Sequence, residues 1–137
     1  MRSWVALLAV GVVSMAAAPA ASAASGSARP IPFRVQLLAP THTPKANTTW
    51  RYTVRVRDLA GKPVPARITV QVVDPTGTAH ALTYANTNKP LVRWPIVGVF
   101  HDYAQWPPDA RGFPLTFRVI VFAKGAKRTL NYVIHVR

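Results

Sequence analysis

Residues 50–58 read Trp-Arg-Tyr-Thr-Val-Arg-Val-Arg-Asp, and the alternation is strict. Trp50, Tyr52, Val54 and Val56 fall on one side of an extended chain; Arg51, Thr53, Arg55 and Arg57 fall on the other. Successive side chains of a β-strand point to opposite faces, so this stretch predicts a strand with one buried and one wet face. Asp58-Leu59-Ala60-Gly61-Lys62-Pro63 supplies the turn. A second strand then places Ile68, Val70 and Val72 inward and Arg67, Thr69 and Gln71 outward.

The same period extends in both directions. Phe33, Val35 and Leu37 alternate with Arg34 and Gln36. Asp74-Pro75-Thr76-Gly77 carries the residue types of a type I or II turn. Short strands are expected at His80–Tyr84 and Ile96–Phe100, with a loop over Asn86–Pro90. A hairpin closes the chain. Leu115, Phe117, Val119 and Val121 face inward on its first strand, whose other face is half apolar through Ile120 and Phe122. Lys124-Gly125-Ala126-Lys127 turns the chain, and Leu130, Tyr132, Ile134 and Val136 face inward on the return. Thirteen prolines recur too often for long helices. The expectation is an all-β domain, a seven-stranded Ig-like β-sandwich.

The run from Thr43 to Val72 resembles the opening of a bacterial Ig-like domain. Such domains begin with a small turn, a W-x-Y-x-V-x-V-x-D strand and an A-G-x-P-V turn. Trp50, Tyr52, Val54, Val56, Asp58, Ala60, Gly61, Pro63 and Val64 stand at those positions. The resemblance covers about a quarter of the chain and implies a β-sandwich used in adhesins, envelope proteins and accessory modules of secreted enzymes. It carries over no functional residue, and the cysteine pair of antibody-type domains is absent. The alanine-rich leader and the excess of arginine over lysine resemble small secreted actinobacterial domains of this type.

Met1–Ala23 reads as a secretory signal peptide. Arg2 opens it, Trp4–Val13 is its apolar segment, Pro19 ends the helix, and Ala21-Ser22-Ala23 is an A-x-A cleavage site. An uncleaved membrane anchor is the competing reading, disfavoured by the alanine-rich second half and Pro19. Residues 24–30 read as a flexible lead-in, and residues 31–137 as the folded domain.

Composition excludes much chemistry. The 137 residues include 17 basic and four acidic side chains, for a net charge of +13. The acids are Asp58, Asp74, Asp102 and Asp109; glutamate and cysteine are absent. No disulfide, thiolate metal site, cysteine nucleophile or glutamate-dependent scheme is possible. Ser25 and Ser27, the serines beyond the leader, lie in the lead-in, away from any nucleophile elbow. Asp102 and Asp109 are the one carboxylate pair a small hydrolase could use, although Asp109 suits the Pro107–Ala110 loop equally well. No enzymatic activity and no cofactor are expected.

Two binding readings remain. His101-Asp102 is the one adjacent His–carboxylate pair, and it supports an alternative as an extracytoplasmic copper- or zinc-binding accessory domain. Both methionines, Met1 and Met15, lie in the leader, which weakens copper. The leading expectation is a secreted, non-catalytic binding or structural module, docking on an anionic envelope polymer, a membrane surface or a partner protein. Arg51, Arg55 and Arg57 share one outer face, which Arg34 joins if its strand pairs with theirs. The irregular segment 86–112 adds Arg93, Trp94, Trp106 and Arg111, residue types that anchor interfaces. Nucleic acid is not expected, because the charge spreads over both faces and no RNA- or DNA-binding motif is present.

Overall fold

The computed structural model describes residues 30–85 and 87–137; the leader and most of the lead-in, residues 1–29, lie outside the described residues. Residues 31–137 form one compact unit. Eight strands are described: β1 (Phe33–Leu38), β2 (Thr49–Asp58), β3 (Pro65–Val73), β4 (Ala79–Ala81), β5 (Trp94–Val97), β6 (Val99–Gln105), β7 (Pro114–Ala123) and β8 (Ala126–His135). A single 3-10 turn, Pro108–Ala110, precedes β7. No helix among the described residues is long and apolar enough to cross a membrane.

All pairings are antiparallel, in the order β1-β2-β6-β5-β3-β7-β8, with β4 beside the end of β3. This path folds over on itself. Trp50 and Tyr52 of β2 meet Phe117 of β7 edge-on at 5.0 and 4.8 Å between ring centroids, although three strands separate β2 from β7 along the sheet. The β1-β2-β6 layer therefore packs face to face on the β3-β7-β8 layer, a β-sandwich-like arrangement.

The core follows the period-two pattern. Trp50, Tyr52, Val54 and Val56 of β2 are buried against Ile68 and Val70 of β3 and Phe117, Val119 and Val121 of β7. Each such side chain contributes roughly 1.5–3 kcal/mol on leaving water. The Trp50 indole donates to the carbonyl of Thr41 at 2.9 Å, so its one polar atom is satisfied.

Two seams join the layers. At one, β5 runs into β6 through Gly98, with Val97 opposite Val99. Gly98 has φ +72°, and a Cβ there would stand 2.7 Å from Cβ of Pro63. At the other seam, the amides of His135 and Arg137 donate to the carbonyls of His42 and Pro44, and the amide of Ala46 donates back to Arg137. The His42 ring stacks on Tyr132 at 3.8 Å.

The strand count differs from the expected seven. The single strand expected over Ile96–Phe100 is two, because Gly98 turns the chain between layers. The strand expected at His80–Tyr84 lies earlier, as β4, and continues only through the Thr83–Pro90 bridge. Leu91, fully buried, fills the gap beside β3 that β4 leaves, and its carbonyl accepts from the amide of Val70.

Candidate functional site

The acids have other tasks than neutralising arginine. Asp58 Oδ1 accepts from the amides of Ala60 and Lys62 at 2.9 and 2.8 Å, which closes the β2–β3 turn. The amide of Lys62, with help from that of Ala60, holds its carboxyl below the usual range. Asp74 Oδ1 accepts from the amides of Thr76 and Thr78, and its Oδ2 stands 2.9 Å from His80 Nε2. The His80 and Thr76 hydrogen bonds hold this carboxyl far below the usual range, so Asp74 stays ionised. Asp74–His80 is the one close contact of an acidic with a basic side chain among the described residues. No described lysine or arginine is within salt-bridge distance of a side-chain carboxylate, although Lys124 and Lys62 are near enough to help lower Asp58.

Unneutralised charge gathers in two places. On the outer face of the β1-β2 pair, Arg34 stands directly opposite Arg57, and Gln36 opposite Arg55. Arg51 follows on the same face of β2, opposite Tyr103 of β6. Like charges directly opposite on a sheet are destabilising. The Arg57 guanidinium donates to the neutral carbonyl of Gly61 at 3.0 Å, and Asp58 lines the same shallow cavity as Arg34, Arg55 and Arg57.

The second place is a cleft of about 790 Å³ where β3, β5 and the β7–β8 turn meet. Four cations line it: Arg67, Arg93, Lys124 and Lys127. Its apolar surface comes from Phe122, Ile96 and Val97. Register explains the grouping. Arg67 of β3 pairs with Phe122 of β7, which pairs with Lys127 of β8, so the three form one cross-strand row on the outer face. Arg93 is fixed from three directions. Its amide donates to Thr69 Oγ1 at 3.1 Å, its carbonyl accepts from Arg67 Nη1 at 3.2 Å, and its guanidinium lies 4.4 Å from the Phe122 ring centroid. That last contact is a cation–π interaction, and it also shields the exposed side of an aromatic ring.

Arg93 and Lys124 both adopt left-handed backbone, at φ +49° and +48°. Asn47 is the one other non-glycine residue among those described to do so. An L-residue there costs roughly 1–2 kcal/mol. Lys124 and Gly125 form a two-residue hairpin turn, where asparagine is the favoured first residue. Two of the three strained positions thus present cations to one cleft.

The remaining residues singled out from sequence scatter. Trp94 stacks on Tyr84 at 5.1 Å. Trp106 is a core residue at 3% exposure, edge-on to Trp50 at 5.5 Å. Its indole nitrogen is buried without a hydrogen-bond partner. Arg111 is exposed just after the 3-10 turn. Of the residues singled out from the segment 86–112, Arg93 alone lines the basic cleft.

His101 and Asp102 line one cavity of about 440 Å³ but turn their side chains to opposite faces of β6. His101 points outward, its Nδ1 2.9 Å from Thr53 Oγ1. Asp102 points inward at 8% exposure, where Oδ2 accepts from the Tyr52 hydroxyl at 3.4 Å and Oδ1 from the amide of Ala85 at 3.3 Å. Burial pushes the Asp102 carboxyl above its usual value, and burial together with the Asp102 charge raises Tyr52. No group of three or more His, Asp, Glu or Cys side chains fit to hold a metal occurs among the described residues. Asp102 and Asp109 line different cavities.

Arg67, Lys124, Lys127 and Phe122 escaped the sequence reading as site residues. The signal was the half-apolar outer face of β7. An aromatic at an outward position of a strand wants a cover, and the arginine that covers Phe122 lies 29 positions earlier.

No protein-family model matches the chain, and no curated protein resembles it significantly. Among solved structures it is similar to the sporulation control protein Spo0M from Bacillus subtilis, at 13% identity and TM-score 0.47, over 77% of this chain and 49% of that one. It is also similar to a DUF4466 family protein from Parabacteroides merdae, at 14% identity and TM-score 0.40, over 74% and 44%. The chain spans about half the length of each.

Proposed function

We propose that this chain is a secreted, non-catalytic Ig-like module that docks on an anionic component of the bacterial cell envelope. The observation that carries this reading is the cleft with four cations, no carboxylate and two strained backbone positions. The hairpin turn demands the positive φ at Lys124, but a lysine stands where asparagine is favoured and adds a cation to the cleft. Thr69 and Arg67 fix the Arg93 backbone and Phe122 seats its guanidinium, so part of the ordering cost is met before an anion arrives. Arg34, Arg51, Arg55 and Arg57 on the opposite layer add a second cationic face. Such a molecule is drawn to a negative surface in any orientation and holds best through the cleft.

Sedimentation with vesicles of mixed phosphatidylglycerol and phosphatidylcholine tests the reading. Strong binding is expected at about 0.01 M salt, where the screening length is roughly 30 Å, and release at about 1 M, where it is roughly 3 Å. A lysine or arginine near an anionic surface is worth about 1 kcal/mol, so Arg93→Gln with Lys127→Gln should weaken binding about 30-fold. Equal binding at both salts would reject electrostatic docking. An undiminished double variant would move the contact to the β1-β2 arginines.

A further inference from the structure

The end of the sandwich away from the basic cleft holds a pocket of opposite character. Its volume is about 550 Å³, within the range of small-molecule sites. It lies among the β3–β4 turn, the end of β6, the 3-10 turn and the start of β7. Leu82, Leu115, Phe113 and Trp106 give it apolar walls. Phe113 is 54% exposed, a large apolar side chain left open at the mouth.

The charge at this pocket runs against the rest of the molecule. No lysine or arginine among the described residues lines it; two of the four aspartates, Asp74 and Asp109, do, with His80 beside Asp74. Asp74 is held ionised by its turn and by His80. Asp109 is exposed, and no basic group pairs with it. A chain so poor in acid has placed half of it around one apolar cavity.

We propose that this pocket binds a small organic cation: an apolar body against Leu82, Leu115, Phe113 and Trp106, with an ammonium group at the free carboxylate of Asp109, Asp74 being engaged by its turn and His80. Three partners of like shape separate the contributions: 4-phenylbutylamine, 4-phenylbutanol and 4-phenylbutyrate. Titration of the full-length secreted protein, followed by NMR at the Trp106 indole and the leucine methyls, reports both affinity and place. The amine should bind about three-fold more tightly than the alcohol, the gain expected of exposed ion pairs, and the butyrate most weakly. Asp109→Asn should erase most of the preference for the amine while leaving alcohol binding unchanged. Phe113→Ala should weaken all three alike. Asp109 and Phe113 are both exposed, so neither substitution threatens the fold.

Equal affinity for amine and butyrate would overturn the proposal, as would shifts confined to residues outside the pocket. Retention of the amine preference in Asp109→Asn would overturn the assigned role of that carboxylate. Vesicle binding through the basic cleft is read by a different assay at the other end, so either proposal can fail alone.

Discussion

Asp102 is the one buried charged side chain among the described residues, and its environment serves it poorly. Its hydrogen bonds from the Tyr52 hydroxyl and the Ala85 amide are long, at 3.4 and 3.3 Å, and together with that of the Tyr103 amide they do not offset its burial. Its raised folded-state pKa means that the native protein holds the proton more tightly than the unfolded chain does. The associated stability is therefore full below the ordinary aspartate value and is lost as pH rises through the folded-state value. Asparagine carries no charge to desolvate; its one oxygen serves Tyr52 at the loss of the long bond from the Ala85 amide. Asp102→Asn should therefore raise stability at pH 7 by on the order of 1 kcal/mol, which is about 4–8 °C in Tm for a domain of this size. The advantage should vanish near pH 3, below the ordinary carboxylate pKa of about 3.9. Thermal melts of both proteins at the two pH values check this, and a variant less stable at pH 7 would show that the carboxylate serves the native state. The split between outward His101 and inward Asp102 was legible in the sequence, since neighbours on a strand face opposite ways. The burial of Asp102 was not, because it depends on Tyr52 and Ala85, distant in sequence.

At the level of elements, Gly98 turns β5 into β6 and carries the chain from one layer to the other. Its positive φ and the 2.7 Å approach of a Cβ to Pro63 are separate obstacles to any other residue. Gly98→Ala should cost about 2–4 kcal/mol, combining backbone strain with overpacking. Combining it with Pro63→Gly should recover part of that loss, because the clash is relieved and the strain is not. Chemical denaturation of the single and double variants measures the two parts; full additivity would mean that the clash is not felt. The strands β1, β2, β3, β7 and β8 were legible because each has one dry and one wet face. The corner was not, since Val97-Gly98-Val99 keeps the apolar character of a continuous strand. The seam between β8 and residues 42–46 was hidden as well, being made of backbone groups that carry no side-chain pattern. The cleft was legible in part: Arg93 was singled out, but its companions come together only through the β3-β7-β8 register.

For the whole molecule, a net charge of +13, with no lysine or arginine in a salt bridge among the described residues, leaves mutual repulsion largely unopposed. Raising salt from about 0.01 to 0.15 M shortens the screening length from roughly 30 to 8 Å and should raise Tm. Scanning fluorimetry across that range tests it, and a flat or falling Tm would mean that repulsion does not limit stability. The row of guanidinium groups on β1 and β2 has a further consequence, for colloidal behaviour. β1 ends the hydrogen-bonded order, and an edge strand is a template on which another copy can add. A second β1 arriving there would bring its own Arg34 alongside Arg34 and Arg57 already facing each other. The row thus acts as a gatekeeper against fibril-like growth in dilute buffer, and polyanions or concentrated salt would lift it.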